Sequence, residues 1–396
     1  MIRLANEIRT ENPNKEMWQY LSLFCNYEYC LESIINRNKE IDLIKDKDNI
    51  KKQIAQIRLS LKQAEEYFSA AATVSLITKP LLIYYGYVAL SRALILLKND
   101  GTYSYDYMRM KEKHNHHGLN IKKNFINNNA KGIADFLASI KCEINYNNEI
   151  PWGNFTVFYN SLDSDVILVK SSVAYENSQL RATGYNLLNT FEKYEIASLK
   201  RDIDLLSLFK HLPDFYSFLK VQNIQSNLFP GFFKINSLQK TKIRTDNKPV
   251  EDDELFKYEC IMNNLDQNTI EWFIDKYAQK NVSFSVFAPS AIRCIIEERL
   301  KKDENGITYL PDATSSISEE IYFIKCDDDF IIESASHYMI LFMLSILCRY
   351  YPDIWVSKLS TLSGFSELIS YYMDIAFRKT PNLILNQMSG VKYVFN

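Results

Sequence analysis

The chain has 396 residues, 47% of them hydrophobic, a formal net charge of −2, and only 10 Gly and 10 Pro. That length supports a sizeable core in two or three domains or subdomains. The scarcity of Gly and Pro excludes collagen-like or long disordered stretches and favours helices over a turn-rich sandwich. A charge this close to zero gives no global attraction to nucleic acid or membrane, so such a partner must be read by a local patch.

The N-terminal MIRLANEIRTENPNKE lacks the apolar core of a signal peptide, and a cytoplasmic protein without membrane contact is expected. Helices are predicted over 17–36 and 48–73, the second amphipathic, with Ile54, Ile57, Leu61, Ala64 and Phe68 at three- and four-residue steps. Lys79-Pro80 opens another helix, because Pro in a first turn loses no hydrogen bond. Its sequence, LLIYYGYVALSRALILL, is apolar on nearly every face and reads as the central core helix, being short for a membrane span and interrupted by Gly86, Ser91 and Arg92. Within it Arg92 is expected to be buried and paired with a carboxylate or backbone carbonyls, a phosphate-binding role being the alternative. Asn99-Asp100-Gly101 ends the helix. A basic, aromatic connector, YSYDYMRMKEKHNHHGLNIKKNF, follows, with a further helix expected over 121–140.

From about 146 to 326 the pattern changes. FTVFY (155–159), DVILVKSSVAY (165–175), NVSFSVFA (281–288) and EEIYFIKC (319–326) read as strands. Helical stretches cover 205–221 and 265–279, and 241–254 is charged and loop-like. Apolar helices return over 334–374. The expected fold is therefore α+β, mainly α: a helical region 1–145, a mixed segment 146–329, and a helical region 330–396 packed on the first. The seven scattered cysteines form no CxxC pair and read as reduced, buried side chains.

The connector holds the chemistry. Three of the five histidines, His114, His116 and His117, lie within four positions, near Arg109. An imidazole can take a 2′-OH proton and an arginine can stabilise charge on a phosphate, so metal-independent RNA cleavage needs little more. Lys98, Lys111, Lys113, Lys122 and Lys123 are candidates for phosphate contacts; Tyr103, Tyr105 and Tyr107 are candidates for stacking on unpaired bases. His117 is grouped with these nucleic-acid-binding residues. Adjacent histidines point in different directions and no carboxylate is spaced to join them, so no metal and no cofactor are expected. The acidic runs at 251–254 and 327–329 read as solvated loops. His337 reads as a satisfied core histidine, Arg349 and His211 as helix-end residues. No Walker A, GxGxxG, GxSxG or HExxH motif supports an ATPase, oxidoreductase, hydrolase or zinc protease.

The blocks AEEYFSAAATVSLITKPLLIYYGYVALSRALILL (64–97) with HHGL (116–119), and HYMILFMLSILCRYYPDIW (337–355) with RKTPNLILNQMSG (378–390), resemble the YaaC-like family in order and spacing. IYYGYVALSRALILLKNDG followed by HHGLNIKKNF is also similar to one branch of HEPN domains. Nucleases of that group carry Arg, four to six residues, then His; Arg109 and His114 have four between them, Arg109 and His116 six. The HEPN resemblance implies Arg109 with His114 or His116 as catalytic residues, RNA as the ligand, a homodimer, and a role in phage defence or a toxin–antitoxin pair. The alternative is a non-catalytic scaffold that binds a protein encoded nearby.

Overall fold

The computed structural model describes residues 4–37, 47–98, 104–110, 116–122, 126–164, 166–174, 181–189, 194–199, 202–240, 254–262, 265–277, 282–299, 313–315, 321–325 and 331–395. The fold is mainly α with small sheets. The chain divides into two compact units. One comprises Met1–Asp163, Tyr194–Ile224 and Asp328–Asn396; the other, Ser164–Lys193 and Gln225–Asp327.

In chain order the helices are α1 (Pro13–Leu23), α2 (Tyr27–Arg37), α3 (Lys47–Ala71), α4 (Lys79–Lys98), α5 (Tyr105–Met110), α6 (Ile133–Ser139), α7 (Asn154–Ser161), α8 (Leu205–His211), α9 (Tyr216–Val221), α10 (Gln267–Tyr277), α11 (Glu333–Tyr350), α12 (Pro352–Thr361) and α13 (Phe365–Ser389). All but α10 belong to the first unit. There α4 is the core helix. Fourteen of its residues are buried, and α3, α7, α11 and α13 pack around it. It is long and apolar enough to cross a membrane, and most of it is enclosed by the fold. Its apolar surface runs round the whole circumference because it has neighbours on every side. Gly86 permits the close approach of α3: a Cβ there would lie 2.7 Å from two ring carbons of Phe68.

Strands complete this unit. Leu4–Ile8 pairs in parallel with Val391–Phe395. Leu119–Ile121, Lys141–Ile144 and Asp202–Asp204 form a three-stranded antiparallel sheet with 141–144 in the centre. The expected helix over 121–140 is thus a strand followed by the short α6. The expected strand over 155–159 is α7 instead. Phe155, Phe158 and Tyr159 are all buried, and their i, i+3, i+4 spacing places them on one helical face. The sequence expectation put 146–163 and 194–224 in the middle segment; both group with the helical unit.

The second unit is built on a six-stranded antiparallel sheet. Its order is Val282–Ala288, Ala291–Arg299, Glu254–Met262, Leu228–Lys240, Ile321–Ile324, Ala313–Ser315. Phe273 of α10 is buried with its ring centroid 5.9 Å from that of Phe229 and 6.4 Å from that of Phe323. A hairpin pairs Val166–Ala174 with Arg181–Asn189. The charged stretch predicted at 241–254 lies outside the described residues except for Glu254, which begins a strand.

Candidate functional site

The predicted connector residues do not form one group. Arg109 ends α5 with its side chain 75% exposed, 3.6 Å from the Asp106 carboxylate. Lys111, Lys113, His114 and Lys123 lie outside the described residues, as do Tyr103 and the Tyr107 side chain. Tyr105 turns inward: its hydroxyl bonds Ser60 and its backbone N–H donates to Gln56 Oε1 at 2.6 Å. It tethers α5 to α3. Lys122 lies 2.5 Å from Asp202 and 3.5 Å from Glu143. Lys98 lies 2.8 Å from Asp163 and donates to Gln387 at 2.9 Å. Both ammonium groups are thus engaged by local carboxylates.

His116 and His117 are exposed and sit on a tightly fixed turn. The His116 carbonyl accepts from Asn154 N at 2.9 Å and the His117 carbonyl from Phe155 N at 3.0 Å. These are the otherwise unsatisfied first amides of α7. Gly118 (φ +84°) and Gly153 (φ +108°) meet backbone to backbone where any Cβ would collide. Gly118 O then accepts from Asn145 N at 3.0 Å, and the chain enters the 119–121 strand. HHGL is therefore a turn locked between a helix start and a sheet.

This turn lays His117 against α4 and α11. Its Nδ1 is 3.2 Å from the Tyr84 hydroxyl, and its ring centroid is 6.0 Å from that of Phe342. Tyr84 in turn packs edge-on against Tyr338, with ring centroids 5.8 Å apart. Burial pushes both phenols up, Tyr84 well above its ordinary value and Tyr338 to about 12, so each keeps its proton at neutral pH.

Partial burial lowers the His117 pKa, and the positive charges of Arg349, Arg92 and His116 lower it further. The imidazole is therefore neutral at neutral pH. Arg92 is only half-buried and, among the described residues, has no ion pair or hydrogen bond. The expectation of a buried arginine paired with a carboxylate is not met: the side chain leaves the core helix beside Tyr84, Tyr338 and His117. Arg349 is exposed at the end of α11 and donates to the Tyr85 and Tyr350 hydroxyls. Arg92 and Arg349 are thus near enough to act on His117 electrostatically, and neither has a carboxylate partner among the described residues, a surplus of positive charge that attracts an anion. The sequence signal for Arg92 and Arg349 was an arginine at the surface-facing positions of two otherwise apolar helices.

A second charged cluster lies inside the same unit. Lys379 (α13) bonds Asp214, in the turn before α9, and lies 2.5 Å from Glu333 at the start of α11. His337 is fully buried, with Nδ1 3.1 Å from the Tyr372 hydroxyl and Nε2 3.7 Å from Glu333. Burial opposes the Glu333 charge, but Lys379 and His337 overcome it and hold its carboxyl below the usual range. This network ties α11, α13 and the 213–215 turn together. Among the described residues no group of three or more His, Cys, Asp or Glu is placed to hold a metal.

A family model described as YaaC-like Protein matches residues 22–388 of the chain. No curated protein and no solved structure matches it.

Proposed function

The chain belongs to the YaaC-like family, and for this member we propose metal-independent RNA cleavage at His117, with Arg92 and Arg349 holding the phosphate. The observation that carries the reading is an exposed histidine held by Tyr84 at 3.2 Å, with Arg92 and Arg349, which have no carboxylate partner among the described residues, close enough to act on it as positive charges. Its Nε2 takes the proton from a ribose 2′-OH. The 2′-oxygen attacks phosphorus, the P–O5′ bond breaks, and the leaving oxygen takes a proton from solvent. The products are a 2′,3′-cyclic phosphate and a 5′-OH end. The arginines stabilise the extra charge on the phosphorane oxygens. Tyr84, 3.2 Å from Nδ1, holds the imidazole by that edge and leaves Nε2 to the substrate. The HEPN-like likeness of this stretch motivates the same chemistry, here with His117 and Arg92 in place of Arg109, His114 and His116. The setting we propose is an effector in phage defence or a toxin–antitoxin pair.

The test is cleavage of end-labelled RNA by purified protein in EDTA. We expect His117→Ala to lower the rate about 10²- to 10⁴-fold, the span of one general base, and His116→Ala to lower it far less. Equal rates for wild type and His117→Ala would overturn the assignment. If neither RNA nor DNA is cut or bound at moderate salt, a non-catalytic scaffold for a protein partner takes its place.

A further inference from the structure

Beside His117 the aromatic side chains are arranged as a ladder that reaches solvent. Tyr67 of α3 stacks on Tyr85 of α4 with ring centroids 5.8 Å apart and planes 27° apart. The Arg349 guanidinium follows, 6.0 Å from the Tyr85 ring centroid and 4.5 Å from that of Tyr350. Hydrogen bonds from its two terminal nitrogens to the Tyr85 and Tyr350 hydroxyls fix the plane of the guanidinium. Tyr67 and Tyr85 are half-buried, Arg349 is exposed, and Tyr350 is 59% exposed. The neighbouring group of Tyr84, Tyr338, Phe155 and Phe158 is entirely buried. Tyr84 and Tyr85 join the two groups, with centroids 5.6 Å apart. Three helices thus contribute rungs, and the outer end of the ladder is open.

We infer that this ladder makes the His117 patch specific for unpaired RNA, with a base flanking the bound phosphate stacked on Tyr350 and Arg349. The inference rests on the phosphate-binding reading above. A planar cation fixed between phenol rings offers a π-face to any base and attracts its phosphate as well. Bases in a duplex are stacked on each other and cannot be splayed onto a protein ring without unpairing, whereas a single strand presents them freely. Tyr350, 59% exposed, is the ring that the ladder leaves open to a base.

The experiment measures fluorescence anisotropy with 2′-O-methyl RNA, which lacks the attacking hydroxyl and stays intact. Three probes are compared: an eight-nucleotide single strand, its duplex, and an abasic strand of the same length. Wild type should bind the single strand at least tenfold more tightly than the duplex. Tyr350→Ala should weaken the single strand about 5- to 150-fold, the range of one lost base stack, and weaken the abasic strand several-fold less. Tyr350→Trp should restore binding. Arg92→Ala should weaken all three probes, because it removes a phosphate contact. Tyr350→Ala that leaves the single strand unaffected, or duplex bound as tightly as single strand, overturns the inference while a loss in Arg92→Ala keeps the phosphate reading. Abasic strand bound equally by wild type and Arg92→Ala overturns that reading instead. Melting temperatures of the exposed-site variants within a degree or two of wild type exclude unfolding as the cause.

Discussion

At Lys379 one ammonium faces Glu333 and Asp214 inside the core of the first unit. Breaking a buried ion pair leaves an uncompensated charge, which costs about 3–5 kcal/mol. Lys379→Met should destabilise the protein by that amount in chemical denaturation. The pH dependence has a definite sign. The folded Glu333 carboxyl is held below its ordinary value of 4.5. Its contribution to stability is therefore complete above 4.5 and disappears as pH falls from there through the lower folded value. Lys379→Met should flatten this acid dependence. For His117 the shift is also downward, from 6.5, but the readout is chemical. Cleavage should hold as pH falls to about the ordinary imidazole value, then decline as the base takes up a proton. Removing a neighbouring cation raises the pKa, so Arg349→Ala should move the His117 titration seen by NMR to higher pH. At this scale the sequence singled out the histidines of HHGL as candidates. It could not show which one points at arginines, because Arg92 and Arg349 lie 25 residues before and 232 after His117.

The α7 helix depends on the turn that precedes it. Gly153 has φ +108° and ψ −179°, a region essentially restricted to glycine, and occupying it with another residue costs of order 1–3 kcal/mol. A Cβ there would also collide with Gly118. Gly153→Ala should lower stability by about that amount. It should also displace HHGL from α4, so RNA binding falls more than the melting temperature alone predicts. Equal binding by the variant, measured below both melting transitions, would show that the turn does not position His117. FTVFY was misread as a strand for a related reason. Its β-branched and aromatic residues suit a pleated surface, but carbonyls of His116 and His117, far along the chain, supply the cap that starts a helix. Segments whose structure is decided by their own pattern were legible: Lys47–Ala71 and Lys79–Lys98 are helices and Val166–Ala174 and Val282–Ala288 strands, the types predicted there.

On the scale of the whole molecule, the first unit is assembled from three separated stretches of chain. That division was not readable from composition, since no linker sets 146–163 and 194–224 apart from the middle segment and long-range contacts assign them. The parallel pairing of Leu4–Ile8 with Val391–Phe395 was hidden for the same reason. The core helix α4 was legible, and its position has a kinetic consequence. Its packing partners α11 and α13 begin about 235 and 267 residues after α4 ends. At the usual 5–20 residues per second of synthesis, α4 waits roughly 12–47 s for the first of them, with an apolar surface that α3 and α7 leave open where α11 and α13 later pack. A nascent chain in this state is a binding site for a holdase chaperone. Ribosome-bound chains stalled after residue 200 should therefore co-purify with such a chaperone, and chains stalled well beyond residue 396, on an added tail that clears the exit tunnel, should not. Chaperone loss should lower soluble yield in proportion to the wait, and slower translation should worsen it. Equal chaperone occupancy at the two stall points would indicate that α3 and the nearby helices shield α4 without α11.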